Sequence, residues 1–151
     1  MGMGEPKRES ADVLLVEDNP GDVRLTREAF EANGIDVTLH VVEDGGVALD
    51  FYYRRGEYVD APRPDLVLLD LNLPRTGGEE VLETLCDEPT LRVIPVIVLS
   101  GSENQTDVVT AYENCANAYL VKPVDPDEFI DAIHSLERFW LSAARLPDGV
   151  P

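Results

Sequence analysis

The chain has 151 residues, room for one compact domain, and 44% of them are hydrophobic, enough to bury a core and to exclude wholesale disorder. Thirty acidic residues against twelve basic ones give a formal net charge of -18, which repels nucleic acid and anionic membranes. Apolar runs such as Leu66 to Leu69 fall far short of the ~20 residues that span a bilayer.

The first ten residues, MGMGEPKRES, hold charges and Pro6 without an apolar stretch, so a frayed leader over 1–10 and a cytoplasmic location are expected. A first strand is predicted at Val13 to Val16. A helix follows from Asp22 to Ala32, with Asn19 or Asp22 as its cap and Asn33-Gly34 closing it. A second strand covers Val37 to Val42, and Gly45-Gly46 precedes a helix from Val47 to Arg55. After a looser stretch, Asp65 to Leu71 (DLVLLDL) is too continuously apolar for a half-exposed strand and suits the centre of a sheet.

The break at Pro74 to Gly78 leads into a helix from Glu79 to Leu85. In the run Val93 to Leu99, Pro95 cannot donate to a ladder, so the strand proper begins at or just after it. Ser100-Gly101-Ser102 ends that strand. A helix from Gln105 to Asn114, a strand from Ala118 to Val121 and a last helix from Pro126 to Leu141 complete the domain, leaving 142–151 as a tail. Cys86 and Cys115 lack metal-ligand spacing and read as reduced, partly buried thiols. Asn104-Gln105-Thr106 is a chance glycosylation match in such a context.

Strands alternating with helices five times imply an α/β fold, a doubly wound five-stranded parallel sheet with five helices. Function in such a sheet gathers at the carboxyl ends of the strands. Those ends carry Glu17-Asp18, Asp70, Ser100 and Lys122. Carboxylates grouped there repel one another and require a cation. Magnesium fits, because it takes oxygen ligands while leaving positions for a phosphate oxygen. Lys122 adds a positive charge and Ser100 a hydroxyl donor. Taken singly, Asp70 would be a turn cap, Glu17-Asp18 a solvated pair, Ser100 a turn hydroxyl and Tyr119 a core aromatic; their combination carries the reading.

VLLVEDNPGD, LVLLDLNLPRTGG, VIVLSGS and NAYLVKP resemble the four signature segments of response-regulator receiver domains, and the resemblance runs from about Asp12 to Leu141. EDNPGDVRLTREAF, RRGEYVDAPRPDL and LERFWL are similar to the small stand-alone receivers that partner bacterial phytochromes. The resemblance implies a flavodoxin-like strand order 2-1-3-4-5. It implies Asp70 as the phosphoacceptor, Asp18 as a direct metal carboxylate, Glu17 as the second acidic position and Asn72 as a ligand through its backbone carbonyl. It also implies Ser100 as the switch hydroxyl, Lys122 as the phosphate-sensing lysine, Tyr119 as the aromatic that moves on activation, and a cis bond before Pro123. Asn72 and Ser102 fall where the family tunes phosphoryl lifetime, and Gly101 stands where alanine is common.

Such a chain is a Mg2+-dependent phosphoacceptor that assists only its own phosphorylation and dephosphorylation. Its partner would be a sensor histidine kinase or phosphotransfer protein. An aspartate-nucleophile phosphohydrolase would want an acid two residues after Asp70, where Asn72 stands, and a flavodoxin-like cofactor binder would want a phosphate loop where Glu17-Asp18 stand. On the last helix, Ile130, Ile133, Leu136 or Glu137, and Trp140 are expected to face the sheet. Phe129, Ala132 and Phe139 would then form an exposed patch for a homodimer built by the fourth and last helices and the strand between them.

The charge has a further consequence for conditions. Repulsion among thirty acids is screened when the Debye length falls to ~3 Å in molar salt, as in the cytoplasm of a halophile. The melting temperature is expected to rise from dilute to molar potassium chloride, and a flat melting curve would mark an ordinary acidic protein.

Overall fold

The computed structural model describes residues 10–32, 36–73 and 76–143. The Asn33-Gly34 turn, nearly all of the leader and most of the tail lie outside these residues. The strands are β1 (Ala11–Val16), β2 (Val37–Val42), β3 (Leu66–Asp70), β4 (Val96–Ser100) and β5 (Ala118–Val121). Between and after them come the helices α1 (Pro20–Ala32), α2 (Gly45–Tyr53), α3 (Gly78–Cys86), α4 (Gln105–Glu113) and α5 (Pro126–Glu137). The sheet is wholly parallel in the order β2-β1-β3-β4-β5, the order expected. No helix among the described residues is long and apolar enough to cross a membrane.

Local chemistry sets the helix starts. The Asn19 side chain accepts from Gly21 and Asp22 N–H, which opens α1 two residues earlier than predicted and puts Pro20 in its first turn, where its missing N–H costs nothing. Asp44 accepts from Val47 N–H at 2.8 Å and caps α2; Arg54, at φ 55°, ends it in the left-handed region. Asn104 caps α4 by accepting from Thr106 N–H, and Asp125 caps α5 ahead of Pro126.

Side chains alternate across each strand, so the sheet separates two cores. On one face Leu14, Val16, Val67, Leu69 and Val98 meet Phe51 and Tyr52 of α2 and Val81, Leu82 and Leu85 of α3. On the other Val13, Leu15, Leu66, Leu68, Ile97 and Leu99 meet Ala29 and Phe30 of α1 and Phe129, Ile133 and Leu136 of α5. β3 is buried along its whole length, as its unbroken apolar run predicts. Nε2 of His134 lies 3.0 Å from the Ala29 carbonyl and ties α5 to α1.

Three expectations are corrected. Phe129 is 3% exposed and belongs to the core: the buried stripe of α5 is Ile133, Leu136 and Glu137, as expected, joined by Phe129, while Ile130 is only partly buried beside it. Past Glu137 the chain widens into a π-helical segment, Arg138–Ala143, in which Trp140 is half-buried against the core and Phe139 is exposed, as expected, and packs edge-on against it. The Lys122–Pro123 bond is trans, the ordinary preference of X–Pro peptides, and no cis bond occurs among the described residues.

The third correction concerns the cysteines. Cys86, the last residue of α3, and Cys115, just past the cap of α4, form a disulfide with Cα atoms 5.6 Å apart. Both helices run back over the same face of the sheet, so their carboxyl ends converge at the edge where β4 begins. Asn117 there pairs with Val96 in both directions. Closing a 29-residue separation stabilises the chain by about 3–4 kcal/mol on a chain-entropy account.

Two glycines beside the strand ends differ in what they permit. A Cβ on Gly78 would fall 2.5 Å from the Asp70 carbonyl oxygen and 2.6 Å from Leu71 Cα, whereas one on Gly101 would meet nothing within 4 Å. Gly78→Ala is therefore expected to cost about 1–3 kcal/mol through overpacking. Gly101→Ala should be near neutral. Urea unfolding of the two variants checks the contrast, and equal stabilities would refute it.

Candidate functional site

Four strand ends converge as the sequence predicts. Glu17 follows β1 and is buried, with its Oε2 accepting from Asn19 N–H at 3.2 Å, while Asp18 beside it is exposed. Asp70 closes β3, is 5% exposed, and accepts from Asn72 N–H at 3.0 Å through Oδ1. Glu17, Asp18 and Asp70 each place a carboxylate oxygen within 4.8 Å of the others. Three hard oxygen donors this close, two of them on buried residues, form a donor set that fits a small divalent cation.

Lys122 reaches into this cluster after β5. Its Nζ lies 2.6 Å from Glu17 Oε1, 3.0 Å from Asp22 Oδ2 and 3.3 Å from Asp70 Oδ2. Burial alone would push the ammonium down, but its hydrogen bonds to Glu17 and Asp22 and the charges of Glu17 and Asp70 hold it above its ordinary value. Asp22 is the residue that sequence reasoning missed. It is read there only as a possible helix cap, a role that Asn19 fills. The signal was its place in the first turn of α1, which aims it at the strand ends.

Ser100 is 1% exposed, and its Oγ accepts from Ser102 N–H at 3.1 Å. Ser102 in turn donates to Asp107 of α4 at 2.6 Å, and Tyr119 donates from its hydroxyl to the Ser102 carbonyl at 2.9 Å. The backbone N–H of Lys122 donates to the Ser100 carbonyl at 2.7 Å. Ser100, Tyr119 and Lys122 are thus linked through one loop, whereas Asn72 touches Asp70 through its N–H and is exposed. Beside the cluster a cleft of about 410 Å³ opens between α1 and β2, with Pro20, Val23, Arg24 and Val41 among its walls.

Burial pushes the Glu17 carboxyl up from 4.5 to about 7, aided by its hydrogen bond to Asp70 and opposed by Lys122. The folded chain therefore keeps a proton that the unfolded chain releases. This group contributes stability below pH 4.5 that is lost as pH rises through about 7. A cation binding here must displace that proton. Magnesium affinity is expected to fall roughly tenfold from pH 8 to pH 6 and to lose this dependence in Glu17→Gln. Calorimetric titration measures both, and an unchanged slope in the variant would refute the assignment.

A family model described as response regulator receiver domain matches residues 13–134. Response regulator Rcp1 of Synechocystis sp. is 42% identical over 135 residues, 89% of this chain and 92% of that protein. A crystal structure of the Mn(2+)-bound form of Rcp1 superposes with a TM-score of 0.87 at 42% identity, covering 91% of this chain and 99% of that one. The phosphorylated cyanobacterial phytochrome response regulator RcpA gives a TM-score of 0.89 at 41% identity, covering 92% and 99%.

Proposed function

Because the chain belongs to the response regulator receiver family, we propose that it accepts a phosphoryl group on Asp70 from a sensor histidine kinase or phosphotransfer protein and signals through its surface. The observation that carries this reading is the single ammonium of Lys122 held among Glu17, Asp22 and Asp70. A site with a surplus of carboxylates and one movable cation is arranged to receive further negative charge, provided a divalent ion joins it.

Asp70 is the nucleophile: a carboxylate oxygen attacks phosphorus and the bond to the donor's imidazole nitrogen breaks, leaving an acyl phosphate. The N–H of Asn72 and the ammonium of Lys122 orient that carboxylate beforehand. Glu17, Asp18, Asp70 and the Asn72 carbonyl would hold Mg2+, which when bound neutralises charge on the phosphoryl oxygens. Lys122 then exchanges a carboxylate for a phosphoryl oxygen. Ser100 turns its hydroxyl toward another, and the Ser102 loop with Tyr119 follows. That Rcp1 has been crystallised with Mn(2+) and RcpA in phosphorylated form supports a site of this kind.

The output leaves by α4, β5 and the segment after α5, where Val109, Tyr112, Val121 and Phe139 are exposed, and a homodimer across this face is the form proposed. Phe129 takes no part in it. A phytochrome-type sensor kinase is the proposed donor, and the cytoplasm, salt-rich, the proposed location.

Incubation with acetyl phosphate and magnesium followed by intact-mass measurement tests the reading. One base-labile phosphoryl group is expected on the native chain, none on Asp70→Asn, and much less on Asp18→Ala. Modification that persists in Asp70→Asn would place the acceptor elsewhere.

A further inference from the structure

We propose that Cys86 and Cys115 form a redox modification site, a disulfide that exchanges with small thiols of the glutathione class and, when closed, fastens the far end of α4 to α3. Cys115 is an exposed residue in the turn after α4, the side from which an attacking thiolate would approach. Attack there forms a mixed disulfide on Cys115 and releases the Cys86 thiolate, which takes a proton from water. A second small thiolate attacks the external sulfur of the mixed disulfide, leaving as the small disulfide while the Cys115 thiolate takes the second proton. Two electrons pass from two small thiols to the protein disulfide, and the reverse reaction closes the bond.

The surroundings let the bond open without opening the core. Each helix end is held by its own backbone hydrogen bonds: Asp87 N–H to the Glu83 carbonyl in α3, Asn114 to Thr110 and Ala116 to Ala111 in α4. Opening the S–S bond leaves both side chains in place over the buried apolar floor of Leu82, Leu85, Leu91, Ile94 and Val96.

What the bond restrains is α4. Ala111 is the only buried residue of that helix, so α4 is held weakly by packing and the disulfide is a large share of its attachment. At its other end α4 begins just after the Ser100–Ser102 loop, joined to it by the Ser102 to Asp107 hydrogen bond. A helix pinned at one end resists movement demanded at the other. The closed disulfide therefore disfavours the rearrangement of Ser100, Ser102 and Tyr119, and this last step rests on the phosphoacceptor reading of Asp70.

The experiment equilibrates the full chain in glutathione buffers of graded poise without denaturant, quenches with a maleimide and measures intact mass. Two added labels that appear with rising glutathione and vanish with its disulfide are expected. Labelling that needs denaturant, or a disulfide that never forms, would overturn the exchange site. Hydrogen exchange on Asp70→Asn, which cannot be phosphorylated, tests the tether alone: the last turn of α4 should exchange about tenfold faster after reduction. Equal exchange would overturn the tether. Finally, beryllofluoride with magnesium should bind the reduced native chain about five- to tenfold more tightly than the oxidised one, with Cys86→Ser and Cys115→Ser matching the reduced form at any poise. Equal affinities would overturn the coupling. Failure to bind in both forms would overturn the phosphoacceptor reading and the coupling with it, while the labelling and exchange results would still decide the redox site.

Discussion

Electrostatic balance at the carboxyl edge of the sheet is the constraint on which the rest depends. Three carboxylates, Glu17, Asp22 and Asp70, surround one ammonium, and a fourth, Asp18, lies beside Glu17 and Asp70. Lys122 is the only lysine between Lys7 and the end of the chain. With two of the acids buried, the cluster would force the strand ends apart without compensation, since an unpaired buried charge costs several kcal/mol. Three devices provide it: the ammonium, a proton retained on Glu17, and backbone N–H groups directed at Glu17 and Asp70. Each is replaceable, and a site whose compensation is replaceable can exchange one set of charges for another.

The sheet makes that edge possible. Strands buried on both faces hold Glu17, Asp70 and Ser100 at fixed heights, because parallel register leaves no freedom to slide without turning core residues outward. Gly78 lets α3 start against the backbone of Asp70 and Leu71, so the acceptor strand is braced from its own loop. The helices contribute unequally. α1 and α5 are tied to each other and to a deep core, while α4 rests on Ala111 and a chain of polar contacts.

Much of this was legible in the sequence because the relevant signals are local. The run DLVLLDL announces a central strand, and Pro95 marks where β4 can begin, one residue before its observed start. The four strand-end positions follow from the rule that parallel sheets expose their carboxyl ends, and the strand order came with the resemblance. What escaped depends on packing. Asp22 meets Lys122 across a hundred residues, and the cysteines meet only once two helices have returned over the same face. Phe129 and Ile130 are equally apolar neighbours, so sequence alone does not choose which is buried more deeply; packing in the core shared with α1 does.

The scarcity of lysine has a chemical consequence as well. Lys122 is half-buried, ion-paired and held in its protonated form, and a protonated amine has no lone pair with which to attack an acyl carbon. The described domain therefore carries no ready nucleophilic nitrogen among its side-chain amines. Acylating reagents, and enzymes that modify lysine, find their sole internal target shielded by the carboxylates that give it its role. The amine becomes nucleophilic only in chains whose charge cluster has come apart.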